Sequence, residues 1–194
     1  MTCWAIIPAR PPGEGKSRLS GPLDDAARTA LVEAMLGHVT GTVASAAHVR
    51  QALLVGPARA GLPEGFRTLA DPGKGLNAAL QAGMAEAVAN GATRVLIVPA
   101  DLPQLAAQDL ELLASAPAGS IAIAPDRHGV GTNALSLPLP EAAGFVFAFG
   151  EDSFARHHAE AERLGLAIET IHSQRLERDI DVAEDLPDAA GLTG

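Results

Sequence analysis

The segment 94–99 reads RVLIVP, a run of apolar residues after a single arginine. A strand with one face in water alternates apolar and polar residues, so this run predicts a strand that is buried on both faces. Residues 2–8 (TCWAIIP) predict a second such strand, and further strands are expected at 49–55 and 120–124. Doubly buried strands belong to parallel sheets that helices cover on both sides, which restricts the chain to an α/β fold.

Segments with helical spacing separate these strands. We predict helices at about 24–47, 77–89, 107–114 and 154–164, and shorter strands at 66–69, 132–137, 145–149 and 166–171. The alternation predicts a three-layer α/β/α architecture around a mixed, mostly parallel sheet. Because no internal repeat, low-complexity tract or linker interrupts it, we expect a single domain over residues 1–194.

Composition excludes several classes of function. The net charge of −9 argues against binding to nucleic acid or to an acidic membrane, both of which attract basic surfaces. Cys3 is the single cysteine, so an internal disulfide is excluded. The N-terminus lacks the features of a signal peptide, and no run reaches membrane-spanning length, so we expect a cytoplasmic protein.

In a sheet of this type, ligands bind beyond the carboxyl ends of the strands. The loop after the first strand contains three cations, Arg10, Lys16 and Arg18, together with glycines whose amides could hold a polyphosphate. Its GKS sequence is not a P-loop, because that motif needs a glycine where Arg10 stands. An anion-binding loop is therefore favoured, and a solvated surface turn is the alternative.

Acidic residues stand out in two other segments of the chain. Asp101 comes directly after the RVLIVP strand, and Asp179 and Asp181 share one side of an extended segment because side chains alternate there. Carboxylates suit Mg²⁺, so these three residues form a candidate metal site. The alternatives are that Asp101 caps the next turn, and that Asp181 caps a helix with Glu184 as the acid of a capping box.

Two glycine-rich segments, 129–133 and 150–154, precede a strand and a helix, and both offer amides and hydroxyls to an anion. Ser153 could equally be an ordinary helix N-cap. No Ser–His or Cys–His pair has the spacing of a nucleophilic site, so a covalent enzyme intermediate has little support.

Six segments in order give the chain a resemblance to a known family: GKSRL (15–19), GLNAAL (75–80), VLIVPADLP (95–103), APDRHGVGTNAL (124–135), FAFGEDSFARHHAEA (147–161) and DIDVAEDL (179–186). The chain resembles the 2-phospho-L-lactate guanylyltransferase family, with its phosphoenolpyruvate and 3-phosphoglycerate members, which serves coenzyme F-420 biosynthesis. The resemblance covers nearly the whole chain and implies a nucleotide-diphospho-sugar transferase fold, which is GT-A-like and Rossmann-like.

The resemblance also implies roles for individual residues. GTP would be held by Arg10, Lys16 and Arg18 and by Gly75 and Asn77, with Lys16 on the triphosphate. Asp101 and the pair Asp179 and Asp181 would bind Mg²⁺, which makes Lys16 and Asp101 the catalytic residues. Thr132, Gly150 and Ser153 would hold the phosphate of the acceptor.

The implied partners are GTP and a small phosphorylated carboxylic acid, which is phosphoenolpyruvate, 3-phosphoglycerate or 2-phospholactate. We also expect the product to pass to a downstream transferase, and a homodimer is one option for the assembly. Two readings remain as rivals: a cytidylyl- or other nucleotidyltransferase with a different acceptor, and a non-catalytic GTP-binding module. The sequence departs from the family pattern at Arg10, where lysine is expected, and at Val182-Ala183, where Thr-Pro often stands.

Overall fold

A seven-stranded sheet forms the centre of the computed structural model, which describes residues 2–192. The strands are β1 (Cys3–Pro8), β2 (Val49–Val55), β3 (Phe66–Leu69), β4 (Arg94–Ile97), β5 (Ser120–Pro125), β6 (Thr132–Pro138) and β7 (Ala167–Thr170). The helices are α1 (Asp25–Ser45), α2 (Leu76–Ala89), α3 (Ala107–Ala114) and α4 (Ser153–Arg163). Two single 3₁₀ segments, Ser17–Leu19 and Ala183–Ala189, complete the described elements.

The sheet is mixed and mostly parallel, as predicted. Its strand order is β3-β2-β1-β4-β6-β5-β7, and β6 runs antiparallel between β4 and β5 while the other neighbours are parallel. The carboxyl ends of β1, β2, β4 and β5 therefore meet at one edge of the sheet, which we call the carboxyl edge. Because β6 runs the other way, its N-terminal end lies at the same edge.

Side chains of the central strands divide between two buried layers. In β1, Ala5 and Ile7 belong to the layer that contains α1 and α3, whereas Trp4 and Ile6 belong to the layer that contains α2 and α4. All four are at most 2% exposed. The double burial predicted from the apolar runs is thus confirmed, and the fold has the expected three layers.

Close backbone approach fixes how the loop after β1 leaves the sheet. A Cβ atom at Gly56 would lie 2.2 Å from the carbonyl oxygen of Ala9. Only glycine therefore allows the loops after β1 and β2 to run so close together at the carboxyl edge. This approach sets the starting position of the loop that carries Arg10 and Lys16.

The strand predicted at 145–149 is wrong. This segment has no strand partner in the structure; it crosses the α2 and α4 side of the sheet, where Phe145 and Phe147 pack into the buried layer. Their alternation imitates a strand, but β6 already has neighbours on both sides, so no position beside it is open. The other predicted elements are confirmed, with ends that shift by two residues or fewer.

The predicted capping role of Asp181 is also wrong. The carboxylate of Asp185 accepts hydrogen bonds from the backbone N–H groups of Asp181 and Val182, at 2.8 and 2.9 Å. The side chain of Asp185 thus caps the start of the last 3₁₀ segment (Ala183–Ala189), and that of Asp181 does not. Within residues 2–192, no helix is both long and apolar enough to cross a membrane.

Candidate active site

Three carboxylates converge at the carboxyl edge. One oxygen atom from each of Asp101, Asp179 and Asp181 lies within 4.8 Å of the other two. We call these residues the acid trio. The structure brings Asp101 together with Asp179 and Asp181, as the sequence predicted. Binding of Mg²⁺ by these residues stays a prediction. The set fits that ion, since it offers only hard oxygen donors.

The burial of Ile180 brings its neighbours Asp179 and Asp181 to the carboxyl edge. Ile180 is fully buried with Leu19 and Met35, and its backbone N–H donates to the carbonyl oxygen of Asp101 at 3.3 Å. Because side chains alternate in an extended segment, an inward Ile180 turns Asp179 and Asp181 toward the site. The packing of an apolar residue thus positions the two acids.

Lys16 bridges two members of the acid trio. Its Nζ lies 2.5 Å from Asp101 Oδ2 and 2.8 Å from Asp181 Oδ1, and its side chain is 13% exposed. Burial disfavours the charged form of Lys16, but the Asp101 and Asp181 carboxylates outweigh it and raise the pKa of the ammonium above its ordinary value. The backbone of Lys16 is left-handed, with φ of 49°, which is an unusual conformation for a residue with a side chain.

The surroundings of Asp179 disfavour the charged form of its carboxyl group. Burial, followed by the like charges of Asp101 and Asp181, raises the pKa of Asp179 from 3.8 to about 6. Its Oδ1 accepts a hydrogen bond from the Asn133 amide at 3.2 Å, which favours the charged form but does not restore the ordinary pKa. Three carboxylates against one bridging ammonium leave an excess of negative charge that a divalent cation would balance.

Replacing Asp179 by Asn should stabilise the protein when divalent ions are absent. The folded carboxyl group takes up a proton more readily than the unfolded one, so its contribution to stability is present below about pH 3.8 and is lost as pH rises through about 6. Near pH 7.5, we expect Asn to raise the free energy of unfolding by about 2 kcal/mol.

Urea titrations of both proteins in EDTA, at several pH values, would measure this difference. It should shrink as pH falls below about 6, and Mg²⁺ should stabilise the natural protein more than the variant. Glu111→Gln, which alters an exposed carboxylate on α3, provides the control. A variant that is less stable than the natural protein near pH 7.5 in EDTA would contradict the account of Asp179.

A cleft of about 450 Å³ opens beside the acid trio, a size that suits a small-molecule ligand. It lies between the loop after β1 and the beginning of α2. The charged and glycine residues that line it include Arg10, Glu14, Gly15, Lys16, Arg18, Arg59, Asp71, Gly75, Asp101 and Asp181. Of the five residues predicted to bind the nucleotide, Arg10, Lys16, Arg18 and Gly75 therefore share one cleft.

The fifth, Asn77, is placed differently. Its amide group donates to the carbonyl oxygen of Phe149 at 3.1 Å and accepts from the Phe149 N–H at 2.8 Å. Both polar groups of the amide, the NH₂ and the C=O, are thus bound to the main chain of the segment before α4. The structure places the Asn77 side chain in a bracing role next to Gly75, and a direct contact with the nucleoside stays a prediction.

The residues predicted to hold the acceptor form a second group. The hydroxyl oxygen of Ser153 accepts a hydrogen bond from the Thr132 N–H at 2.9 Å, and Gly150 lies exposed just before α4 with φ of 121°. Thr132 and Ser153 are only 6% and 2% exposed. The structure thus brings Thr132 and Ser153 together, and their role toward an acceptor stays a prediction.

Sequence reasoning missed Asn133 and Arg59. Asn133 is the extra residue of a β-bulge in β6, and its amide donates to Leu176 O at 2.8 Å as well as to Asp179. Arg59, whose side chain is 9% exposed, donates to the Arg10 carbonyl oxygen at 2.6 Å. The position of Asn133 within the GTNAL motif could have pointed to it. For Arg59, the sequence offers only its position in the loop after a strand.

The chain is similar in sequence to known proteins along nearly its whole length. The family model described as "Guanylyl transferase CofC like" matches residues 3–190. The chain is 41% identical to the phosphoenolpyruvate guanylyltransferase of Sphaerobacter thermophilus, over 98% of this chain and 94% of that one. It is 36% identical to the 2-phospho-L-lactate guanylyltransferase of Methanothermobacter thermautotrophicus (96% and 83% covered) and 34% identical to the 3-phospho-D-glycerate guanylyltransferase of Phenylobacterium zucineum (96% and 88%).

Solved structures confirm the fold predicted from the sequence. A nucleotidyl transferase from Methanothermobacter superposes with a TM-score of 0.67 at 17% identity, covering 98% of this chain and 97% of its own. A CMP:2-keto-3-deoxy-manno-octonic acid synthetase superposes with a TM-score of 0.64 at 15% identity, covering 99% and 98%. At these identities, the two likenesses bear on the fold alone.

Proposed function

The chain belongs to the family described as CofC-like guanylyl transferases, and from that membership we propose that it transfers the guanylyl group of GTP to the phosphate of phosphoenolpyruvate, with release of pyrophosphate. The observation that carries the proposal is the acid trio, which Lys16 bridges at the edge of a cleft of nucleotide size. Phosphoenolpyruvate is preferred over the other two acceptors because the relative with 41% identity is named for it, against 36% and 34% for relatives named for the others.

The reaction is an in-line displacement at phosphorus. An oxygen of the acceptor phosphate forms a bond to the α-phosphorus of GTP. The bond between the α-phosphorus and the oxygen that bridges it to the β-phosphate breaks, and its electron pair leaves with pyrophosphate. The attacking oxygen is already anionic near neutral pH, so no general base is required. The obstacle is the repulsion between two anions, and positive charge held in place is what lowers it.

Lys16 is suited to part of this task. An ammonium has three N–H donors, and the contacts with Asp101 and Asp181 use two of them. The third is available to a phosphate oxygen at the cleft. Because the carboxylates keep Lys16 charged and fixed, the cation need not reorganise when the triphosphate enters.

Asp101, Asp179 and Asp181 would hold Mg²⁺, which when bound would neutralise charge on the phosphates and polarise the phosphorus under attack. Arg10 and Arg18 line the same cleft and add positive charge where the β- and γ-phosphates would lie. Arg59 fixes the position of Arg10 through the backbone carbonyl that it binds. The loop after β1 would therefore hold the leaving pyrophosphate.

The product would contain a phosphoanhydride between GMP and the phospho-acid, which is an activated donor. A transferase that moves the phospho-acid onward and releases GMP would consume it, as expected for coenzyme F-420 biosynthesis. We expect the enzyme to act in the cytoplasm, where GTP is available. A homodimer is one option for its assembly.

Pyrophosphate release should be fastest with GTP, Mg²⁺ and phosphoenolpyruvate. We expect kcat/KM to exceed that for 3-phosphoglycerate and 2-phospholactate by about tenfold or more, because the acceptors differ in hydroxyl groups and shape next to a buried polar site. A coupled pyrophosphate assay on each acceptor, with GTP and with CTP, would measure it.

Two results would contradict guanylyl transfer, and a third would contradict the choice of acceptor. Faster release with CTP than with GTP would favour a cytidylyltransferase. Binding of GTP with Mg²⁺ but no release with any of the three acceptors would favour a non-catalytic binding module. A preference for another of the three acceptors would overturn the substrate and leave guanylyl transfer intact.

A further inference from the structure

A fully buried histidine connects the segments predicted to hold the acceptor. His157 lies on α4 with no exposed surface, and its two ring nitrogens each meet a polar partner. Nε2 lies 3.0 Å from the backbone nitrogen of Ala148, and Nδ1 lies 3.0 Å from Thr132 Oγ1. One ring thus joins α4 to the beginning of β6 and to the segment that precedes Gly150.

These contacts determine which ring nitrogen carries the proton. The Ala148 N–H can only donate, so Nε2 must accept, and the proton of the neutral ring is on Nδ1. Burial lowers the pKa of His157 to about 4, so the neutral ring is the form present near neutral pH. The Nδ1–H group therefore donates to the hydroxyl oxygen of Thr132.

The direction of this bond sets the direction of the next one. Since Thr132 Oγ1 accepts from His157, its own proton is left to be donated to another group. The hydroxyl oxygen of Ser153 likewise accepts, from the Thr132 N–H. Within residues 2–192, neither hydroxyl proton has an acceptor in hydrogen-bonding distance. The Thr132 and Ser153 hydroxyl groups are thus two neighbouring, nearly buried donors, and an anionic ligand could accept hydrogen bonds from both.

The same network reaches both other parts of the site. Asn133, next to Thr132, donates to Asp179 of the acid trio. On the other side, Ala148 precedes Phe149, whose main chain is held by Asn77 from the first turn of α2 beside the cleft. His157 is therefore connected, through Thr132 and its neighbour Asn133, to the acid trio and, through the segment of Ala148 and Phe149, to Asn77 beside the cleft.

From this geometry, and on the basis of the proposed function, we infer that His157 is a positioning residue for the acceptor: its Nδ1–H orients the Thr132 hydroxyl so that Thr132 and Ser153 both donate to an anionic group of the phospho-acid. His157 itself touches neither substrate. Its removal should weaken the acceptor's binding and leave GTP binding nearly unchanged.

Two substitutions separate the two ring nitrogens. In His157→Asn, the amide can place a donor near the position of Nδ1, and the KM for phosphoenolpyruvate should stay within about threefold of the natural value. In His157→Gln, the longer amide reaches toward Ala148 and leaves Thr132 without its donor, so this KM should rise about tenfold or more. The KM for GTP should change less than about twofold in both.

His158→Asn is the matched control, since it changes the neighbouring histidine on the same helix, which packs against Phe154 and not against Thr132. Thr132→Val tests the inference even where a His157 variant fails to fold, because it removes only the oriented hydroxyl. It should raise the acceptor KM as His157→Gln does. The variant that combines Thr132→Val and His157→Gln should have an acceptor KM no higher than that of the single variant with the higher value.

The inference is overturned if His157→Gln or Thr132→Val leaves the acceptor KM unchanged, if the KM for GTP rises equally, or if the two effects multiply. Failure of the proposed function has a different signature, since the natural protein would then release no pyrophosphate with any acceptor. The kinetic pattern of the variants and the activity of the natural protein thus separate the two.

Discussion

Asp101→Asn should lower the rate of pyrophosphate release by about three orders of magnitude or more. The substitution keeps the shape of the side chain but replaces a carboxylate by a neutral amide, which is a much weaker ligand for Mg²⁺. Asp101 also holds Lys16 at 2.5 Å, so the variant would loosen the cation that meets the triphosphate. Both losses act on the transition state, where charge is greatest.

Stability should change far less than activity. Asp101 is 28% exposed and lies beside two other carboxylates, so its neutralisation relieves repulsion while it weakens one ion pair. We expect the free energy of unfolding to stay within about 1 kcal/mol of the natural value. Urea unfolding and single-turnover pyrophosphate release would be compared with those of Glu111→Gln. Normal release by Asp101→Asn would refute the assignment of Asp101 to the metal site.

Lys16→Met should lower kcat by about two to three orders of magnitude and raise the KM for GTP. Methionine preserves much of the length of the side chain but removes the three N–H donors. The acid trio would then lack its bridging cation, so the variant should also be less stable than the natural protein in EDTA. Added Mg²⁺ should recover part of that stability, because the divalent ion balances the same carboxylates.

Lys16→Arg separates charge from geometry. It keeps the positive charge, but the planar guanidinium cannot reproduce contacts at 2.5 and 2.8 Å with two carboxylates and a third with phosphate, so we expect only partial activity. Lys74→Met, which changes the chain's other lysine in the exposed loop before α2, is the control. If Lys16→Met kept the natural kcat, the ammonium would have no part in transfer.

Most of the architecture could be predicted from the sequence because it depends on local burial patterns. The RVLIVP run lies in the sheet as β4, and its position places Asp101 at the carboxyl edge. The rule that ligands bind at strand ends pointed to Asp101, and the alternation of side chains in an extended segment paired Asp179 with Asp181. The structure adds the reason, since the buried Ile180 between the two acids turns both toward the site.

The failures have one physical cause, which is that tertiary contacts decide between local alternatives. The phenylalanines of 145–149 alternate as in a strand, yet Asn77 and His157 hold that segment through its main chain instead. Spacing alone suggests Asp181 as a cap with Glu184, but in the fold the Asp185 carboxylate makes the capping contacts and the Asp181 carboxylate pairs with Lys16. The Arg59 contact with a backbone carbonyl cannot be read from any pattern, since it depends on how two loops approach.

We propose that Asp101, Asp179 and Asp181 bind divalent metal where the triphosphate and the acceptor meet. Anomalous diffraction from crystals grown with Mn²⁺ and a non-hydrolysable GTP analogue would test it most directly. We expect a manganese peak bonded to Asp101 and to at least one of Asp179 and Asp181, with the analogue's phosphates in the cleft beside Lys16. An analogue bound in the cleft with no manganese at these carboxylates, or with manganese held elsewhere, would contradict it.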